Sequence, residues 1–139
     1  FLAHRLACGH ADRIAAIEIN LRKGGTTHPM LTMAVITQGH YEPATGVFRT
    51  ASGAEKCYYS TDNLRSESYR GLSVTDLLDA AVTEGLTFNP ALERGCVFFM
   101  LGALSEFGKV SVTCIADTLE QAIADYDRLV TVMDRLGSG

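Results

Sequence analysis

The residues best suited to chemistry lie close together, at Glu18, Asn20 and Arg22. They alternate with Ile17, Ile19 and Leu21. Side chains two apart share one face of a strand, so the alternation predicts a strand over 14–22. Its apolar residues enter a core and its polar ones project together. A carboxylate oxygen and an amide oxygen at this spacing suit a hard cation such as Mg²⁺. An arginine one step further suits a phosphate oxygen. From alternation alone, the commoner reading is an ordinary solvated strand face.

The following residues shift that balance. Lys23 leads into Gly24 and Gly25, which break the strand and permit close backbone approach. Thr26, Thr27, His28 and Pro29 then open a helix expected over 26–38, with Pro29 in the first turn, where a missing N–H is tolerated. A helix start is a ready site for an anion. A metal-phosphate strand, a glycine break and an anion-binding helix start thus follow one another directly.

The remaining elements must position this segment. The start of the chain, 1–8, reads as the last turns of a helix stopped by Gly9. Gly46 to Thr61 reads as a hairpin, with arms at Val47–Thr50 and Lys56–Tyr59 around a Ser52-Gly53 turn. On its second arm Tyr58 and Tyr59 point to opposite faces, one into the core and one toward a pocket. The polar stretch 62–71 reads as a loop. Its ordinary reading is a solvated turn, and its functional reading makes Arg70 a fork for a substrate carboxylate. Ser73 and Asp76 cap a second helix that presents Leu77, Leu78, Ala81 and Val82 on one face and ends at Gly85. Asn89-Pro90 marks a turn. The apolar run 96–101 and the stretch 109–115 are strands joined through a glycine-containing surface turn. The last helix starts near Thr118. Together these predict one α+β domain over 1–139, with a mainly antiparallel sheet of about four or five strands and about three helices.

Composition narrows the function classes. Hydrophobic residues make up 47% of the chain, enough for a packed core, and the formal net charge of −4 argues against a nucleic-acid binder. No apolar run reaches the roughly 18 residues of a membrane span. Cys8, Cys57, Cys96 and Cys114 form no C-x-x-C pair, which argues against zinc and for buried free thiols in a cytoplasmic protein. His4, His10 and His40 show no ligand spacing and read as surface residues. Asp76, Asp79 and Glu84 read as solvated charges on the outer face of their helix.

Glu18-Ile19-Asn20 resembles the E-x-N metal motif on the last core strand of ATP-grasp enzymes. The longer string from Ala16 to Pro29 resembles one branch, the ATP-grasp peptide ligases of the pheganomycin-biosynthesis type. Tyr58 to Leu64, Tyr69 to Leu72 and Gly102 to Lys109 extend the likeness over nearly all of 14–136. The resemblance implies the C-terminal part of an ATP-grasp fold, using ATP and Mg²⁺ to join a small-molecule carboxylate to an amine or peptide through an acyl phosphate. It implies Mg²⁺ ligands at Glu18 and Asn20 and a catalytic Arg22 steadying the transferred phosphoryl group. Lys23, Gly24, Gly25, Thr26, Thr27 and His28 would hold phosphate or substrate.

The family also places a further metal-binding carboxylate on a strand shortly before E-x-N. Here Cys8, Gly9 and His10 pass almost directly to Ile14, and Asp12 is the nearest acid. The elements that cover ATP belong upstream in the family. The expectation is therefore a piece whose partner is the upstream ATP-grasp part of the same protein, inactive by itself. A non-catalytic small-molecule-binding or regulatory α+β module is the competing reading, because fold class alone does not separate the two.

Overall fold

The computed structural model describes residues 24–139. The expected strand over 14–22 lies outside them, as do the helix end at 1–8, Glu18, Asn20, Arg22, Lys23 and Cys8. The described helices are α1 (Thr27–Thr37), α2 (Val74–Thr83), the short α3 (Leu104–Phe107) and α4 (Leu119–Gly137). The strands are β1 (His40–Glu42), β2 (Val47–Arg49), β3 (Cys57–Arg65), β4 (Gly95–Phe99) and β5 (Lys109–Ala116). They form two antiparallel sheets, a β1-β2 hairpin and a three-stranded sheet in the order β3-β5-β4. The class is α+β, as expected. No helix among the described residues is long and apolar enough to cross a membrane.

β5 is the central strand, and Val110 through Ala116 are all buried. Its alternation divides the protein into two layers. Val110, Val112, Cys114 and Ala116 join the main core with Leu129, Val132 and Met133 of α4 and Leu77 and Ala81 of α2. Ile115 belongs to a smaller cluster with Met33 of α1 and Phe48 of β2. Ser111 and Thr113 share that second face and are fully buried. Arg94, just before β4, donates to both oxygens of Asp125 on α4 at 2.9 and 3.0 Å, which satisfies a buried carboxylate and ties sheet to helix.

Several expectations need correction. The Ser52-Gly53 turn exists, with Gly53 N–H donating to Thr50 O and Thr50 N–H to Ala54 O, both at 2.9 Å. Its second arm, however, leaves after Lys56 and becomes β3 of the other sheet, while β2 pairs with β1. Lys56 anchors the departure: its buried ammonium donates to Asp117 Oδ1 at 2.7 Å and Leu92 O at 3.0 Å. A buried cation left without such partners would be costly.

The start of the expected 62–71 loop is also strand. β3 runs on to Arg65 because β5 is long enough to pair with it, through a bulge between Thr61 and Leu64. Glu67–Tyr69 is a 3₁₀ turn. Polar side chains here reflect the outer strand of the three-stranded sheet rather than a loop. On α2 the Ser73–Asp76 capping box forms as expected, but only Leu77 and Ala81 are buried. Leu78 and Val82 are exposed because α2 packs a narrow stripe against α4. The surface turn expected between the last two strands is a 3₁₀ turn followed by α3.

Gly95 opens β4 at φ +128°, and a Cβ there would lie 2.5 Å from Thr87 O and 2.7 Å from Phe88 Cα. Gly95→Ala should lower the unfolding free energy by about 2–4 kcal/mol. Gly53→Ala, in open space at φ +86°, should cost about 1 kcal/mol. Urea denaturation checks both, and equal midpoints would contradict the close approach at Gly95.

Candidate functional site

The expected anion loop leads into α1. Gly24 N–H donates to Thr27 Oγ1 at 3.1 Å, and Thr27 N–H donates to Gly24 O at 3.0 Å, so the glycines and Thr26 form a tight turn. Thr26 takes the position before the helix without a side-chain cap. Pro29 supplies no N–H, and that of Thr27 is turned back on Gly24. Among the first four helical residues, at most the amides of His28 and Met30 remain for a ligand.

A cleft of about 280 Å³ lies before this turn. Gly25, Thr26 and Pro29 form one wall; Tyr58, Ser60, Thr61 and Asp62 of β3 and Phe99 of β4 form the other. Strand pairing explains the second wall. On one sheet face Tyr58, Ile115 and Gly95 stand in a row, and Ser60, Thr113 and Val97 make the next. Phe99 stands opposite Ser111 in the third. Successive residues of a regular strand point to opposite faces, yet Ser60, Thr61 and Asp62 all line the cleft. Ser60 and Thr61 are still in register with Thr113 and Val112, and the register shift follows them.

The polar groups beneath the cleft are satisfied internally. Ser60 Oγ donates to Val112 O at 2.9 Å and touches Thr113 Oγ1 at 2.9 Å; Ser111 Oγ donates to Asp62 O at 3.2 Å. Tyr58 is held above the ordinary phenol range because burial disfavours its charged form. Asp62 is the only charged side chain among the described lining residues. His28 stacks on Phe99, with ring centroids 4.1 Å apart and planes 26° from parallel, and its Nδ1 lies 3.4 Å from Thr32 Oγ1. A second groove of about 480 Å³, lined by Gly24, Thr27, His28, Leu31, Thr32, Val35 and Ile36, follows another flank of α1.

The structure thus gathers Gly25 and Thr26 at the cleft, with His28 joined to it through Phe99. Gly24 and Thr27 line the second groove. Arg70 is elsewhere: it is exposed, pairs with Glu67 Oε2 at 2.9 Å and lines neither cavity. Tyr58 faces the cleft while Tyr59 packs on the main core, as the strand parity predicts. Ser60, Thr61 and Phe99 were not singled out from the sequence. Parity with Tyr58 could have found Ser60; it does not reach Thr61, and Phe99 needed the pairing of β4 with β5.

Comparison with known proteins bears on this geometry. Residues 76–130 match the family described as PGM1 C-terminal domain. The chain is 32% identical over 127 residues to an L-propargylglycine–L-glutamate ligase of Streptantibioticus cattleyicolor, across 87% of this chain and 26% of that protein. Over most of its length the chain is therefore similar to part of a ligase. It spans about a quarter of the length of the ligase it matches. The aligned stretch is long enough that it must take in most of the described fold. No solved structure matches the chain.

The His28–Phe99 stack generates a direct test. Ring current from Phe99 should shift the His28 ring protons upfield in the ¹H NMR spectrum. Phe99→Leu should return them downfield with little change elsewhere in the main core. Unmoved His28 resonances would mean that α1 does not sit on the end of β4.

Proposed function

We propose that this chain is the C-terminal part of an ATP-dependent carboxylate–amine ligase. The observation that carries the reading is the 32% identity to a ligase over 127 residues. In the proposed reaction a carboxylate is phosphorylated by ATP, an amine attacks the acyl phosphate, and an amide, ADP and phosphate result. The upstream ATP-grasp part of the same protein would cover the nucleotide. A cytoplasmic setting suits ATP-dependent chemistry of this kind.

Mg²⁺ supplies charge neutralisation to phosphoryl transfer when bound. Among the described residues, no group of three or more His, Cys, Asp or Glu could hold a metal. The donors in this proposal are Glu18 and Asn20 of the E-x-N triplet, whose hard oxygens fit Mg²⁺ and leave its other positions to water and phosphate. Arg22 would steady the phosphoryl group and Lys23 would add charge beside it. The Gly24–His28 turn would position the activated carboxyl group. Gly25 and Thr26 border the open cleft, and among the described residues a Cβ on Gly24 or Gly25 would meet nothing within 4 Å. That room favours close approach of a ligand to the backbone. Asp62, across the cleft, supplies the opposite charge for the ammonium form of the amine. Arg70 would serve a more distant substrate carboxylate.

In a full-length protein, Glu18→Ala or Asn20→Ala should reduce ADP release on the order of 10²–10³ while circular dichroism stays unchanged. Full turnover by either variant would overturn the metal roles. The 139-residue chain by itself should release no ADP above background, and clear turnover by it would refute the need for an upstream part. Asp62→Asn should raise KM for the amine about tenfold, the loss of one ionic contact worth about 1.4 kcal/mol. An unchanged KM would remove Asp62 from amine binding.

A further inference from the structure

Cys96 on β4 and Cys114 on β5 stand directly opposite one another. Both are free thiols, buried to 3% and 0% exposure, with their sulfurs 3.1 Å apart. Isolated buried cysteines ordinarily act as small apolar side chains. The backbone around this pair adds something more specific. Cys96 N–H donates to Leu86 O at 2.7 Å, and its carbonyl accepts from Phe88 N–H at 3.1 Å. Both groups therefore face away from β5. That makes Cys96–Cys114 a non-hydrogen-bonded antiparallel pair, the kind whose Cα atoms lie about 4.5 Å apart with the closest side chains. This separation falls within the range a disulfide spans, so closure requires little backbone movement. A tetrahedral metal would need further ligands, and no such group exists among the described residues.

We propose that Cys96 and Cys114 form an oxidation site, closed by a peroxide into a disulfide that staples β4 to β5. Cys96, the less enclosed sulfur, attacks the peroxide: the O–O bond breaks, a sulfenic acid forms and water leaves. Cys114 then attacks that sulfur, the S–O bond breaks, the S–S bond forms and a second water departs with the thiol proton. Two thiols are oxidised by two electrons and one hydrogen peroxide is reduced to two waters. Cys114, fully buried with its sulfur 3.1 Å from that of Cys96, is placed to resolve the sulfenic acid. The staple lies three residues before Phe99, so it reinforces the strand that carries one wall of the cleft. This inference is independent of the ligase reading.

The test uses the full chain in its native state. It is treated with hydrogen peroxide, unfolded in the presence of N-ethylmaleimide and digested with trypsin. Cleavage after Arg94, Lys109 and Arg128 places the two cysteines on separate peptides, 95–109 and 110–128. These should be recovered linked, lighter than their sum by two hydrogen atoms, and be separated by dithiothreitol. Cys57 is exposed and should remain outside the link, and Cys57→Ser should leave the product unchanged. The same treatment of the unfolded chain should give about tenfold less of this pair, because alignment of the sulfurs is lost. Recovery of both peptides as maleimide adducts, as unlinked sulfinic or sulfonic acids, or linked to Cys57 would overturn the proposal. So would an equal yield from the unfolded chain.

Discussion

Pairing of β5 with a neighbour on each side is the constraint on which the described structure depends. A strand buried on both faces cannot leave its backbone N–H and C=O groups unpaired without a large penalty. β3 and β4 meet that requirement along most of its length. Every packing decision then follows from the parity of β5. Val110, Val112, Cys114 and Ala116 demand an apolar cover, which α4 and α2 provide. Ser111 and Thr113, on the other face, demand hydrogen bonds instead, and Asp62 O and Ser60 Oγ provide them.

That asymmetry separates stability from binding. The face beneath α4 is filled by apolar side chains of β5, α4 and α2. The opposite face combines small hydroxyl residues with Tyr58 and Phe99, and α1 approaches it only in part. The cleft exists where α1 begins, because the Gly24–Thr27 turn brings the chain in before the helix can pack. Three consecutive residues of β3, Ser60, Thr61 and Asp62, border the opening just before the bulge.

The likeness to a ligase gives these features a context without assigning their roles. It extends across 87% of the chain but only 26% of the relative. Both walls of the cleft come from this chain, one from the start of α1 and the other from β3 and β4. Asp62 is the one charged residue among the described residues that line it.

Local signals in the sequence determined the α+β class, α1 with its glycine entry, the Ser73–Asp76 cap, the strand character of β4 and β5 and the opposite directions of Tyr58 and Tyr59. Each rests on periodicity or on turn and cap chemistry within a few residues. Partner choice lies beyond such signals. Nothing near Lys56 says that its strand will leave β2 for β5; a hydrogen bond to Asp117, 61 positions away, secures that choice. The same holds for the bulge at Thr61–Leu64, the stack of Phe99 on His28 and the meeting of Cys96 with Cys114. Sequence alone established which residues favour strand or helix, because local backbone and side-chain preferences decide it. Only the tertiary structure decided which strands pair and in what register, because that depends on surfaces brought together from distant parts of the chain.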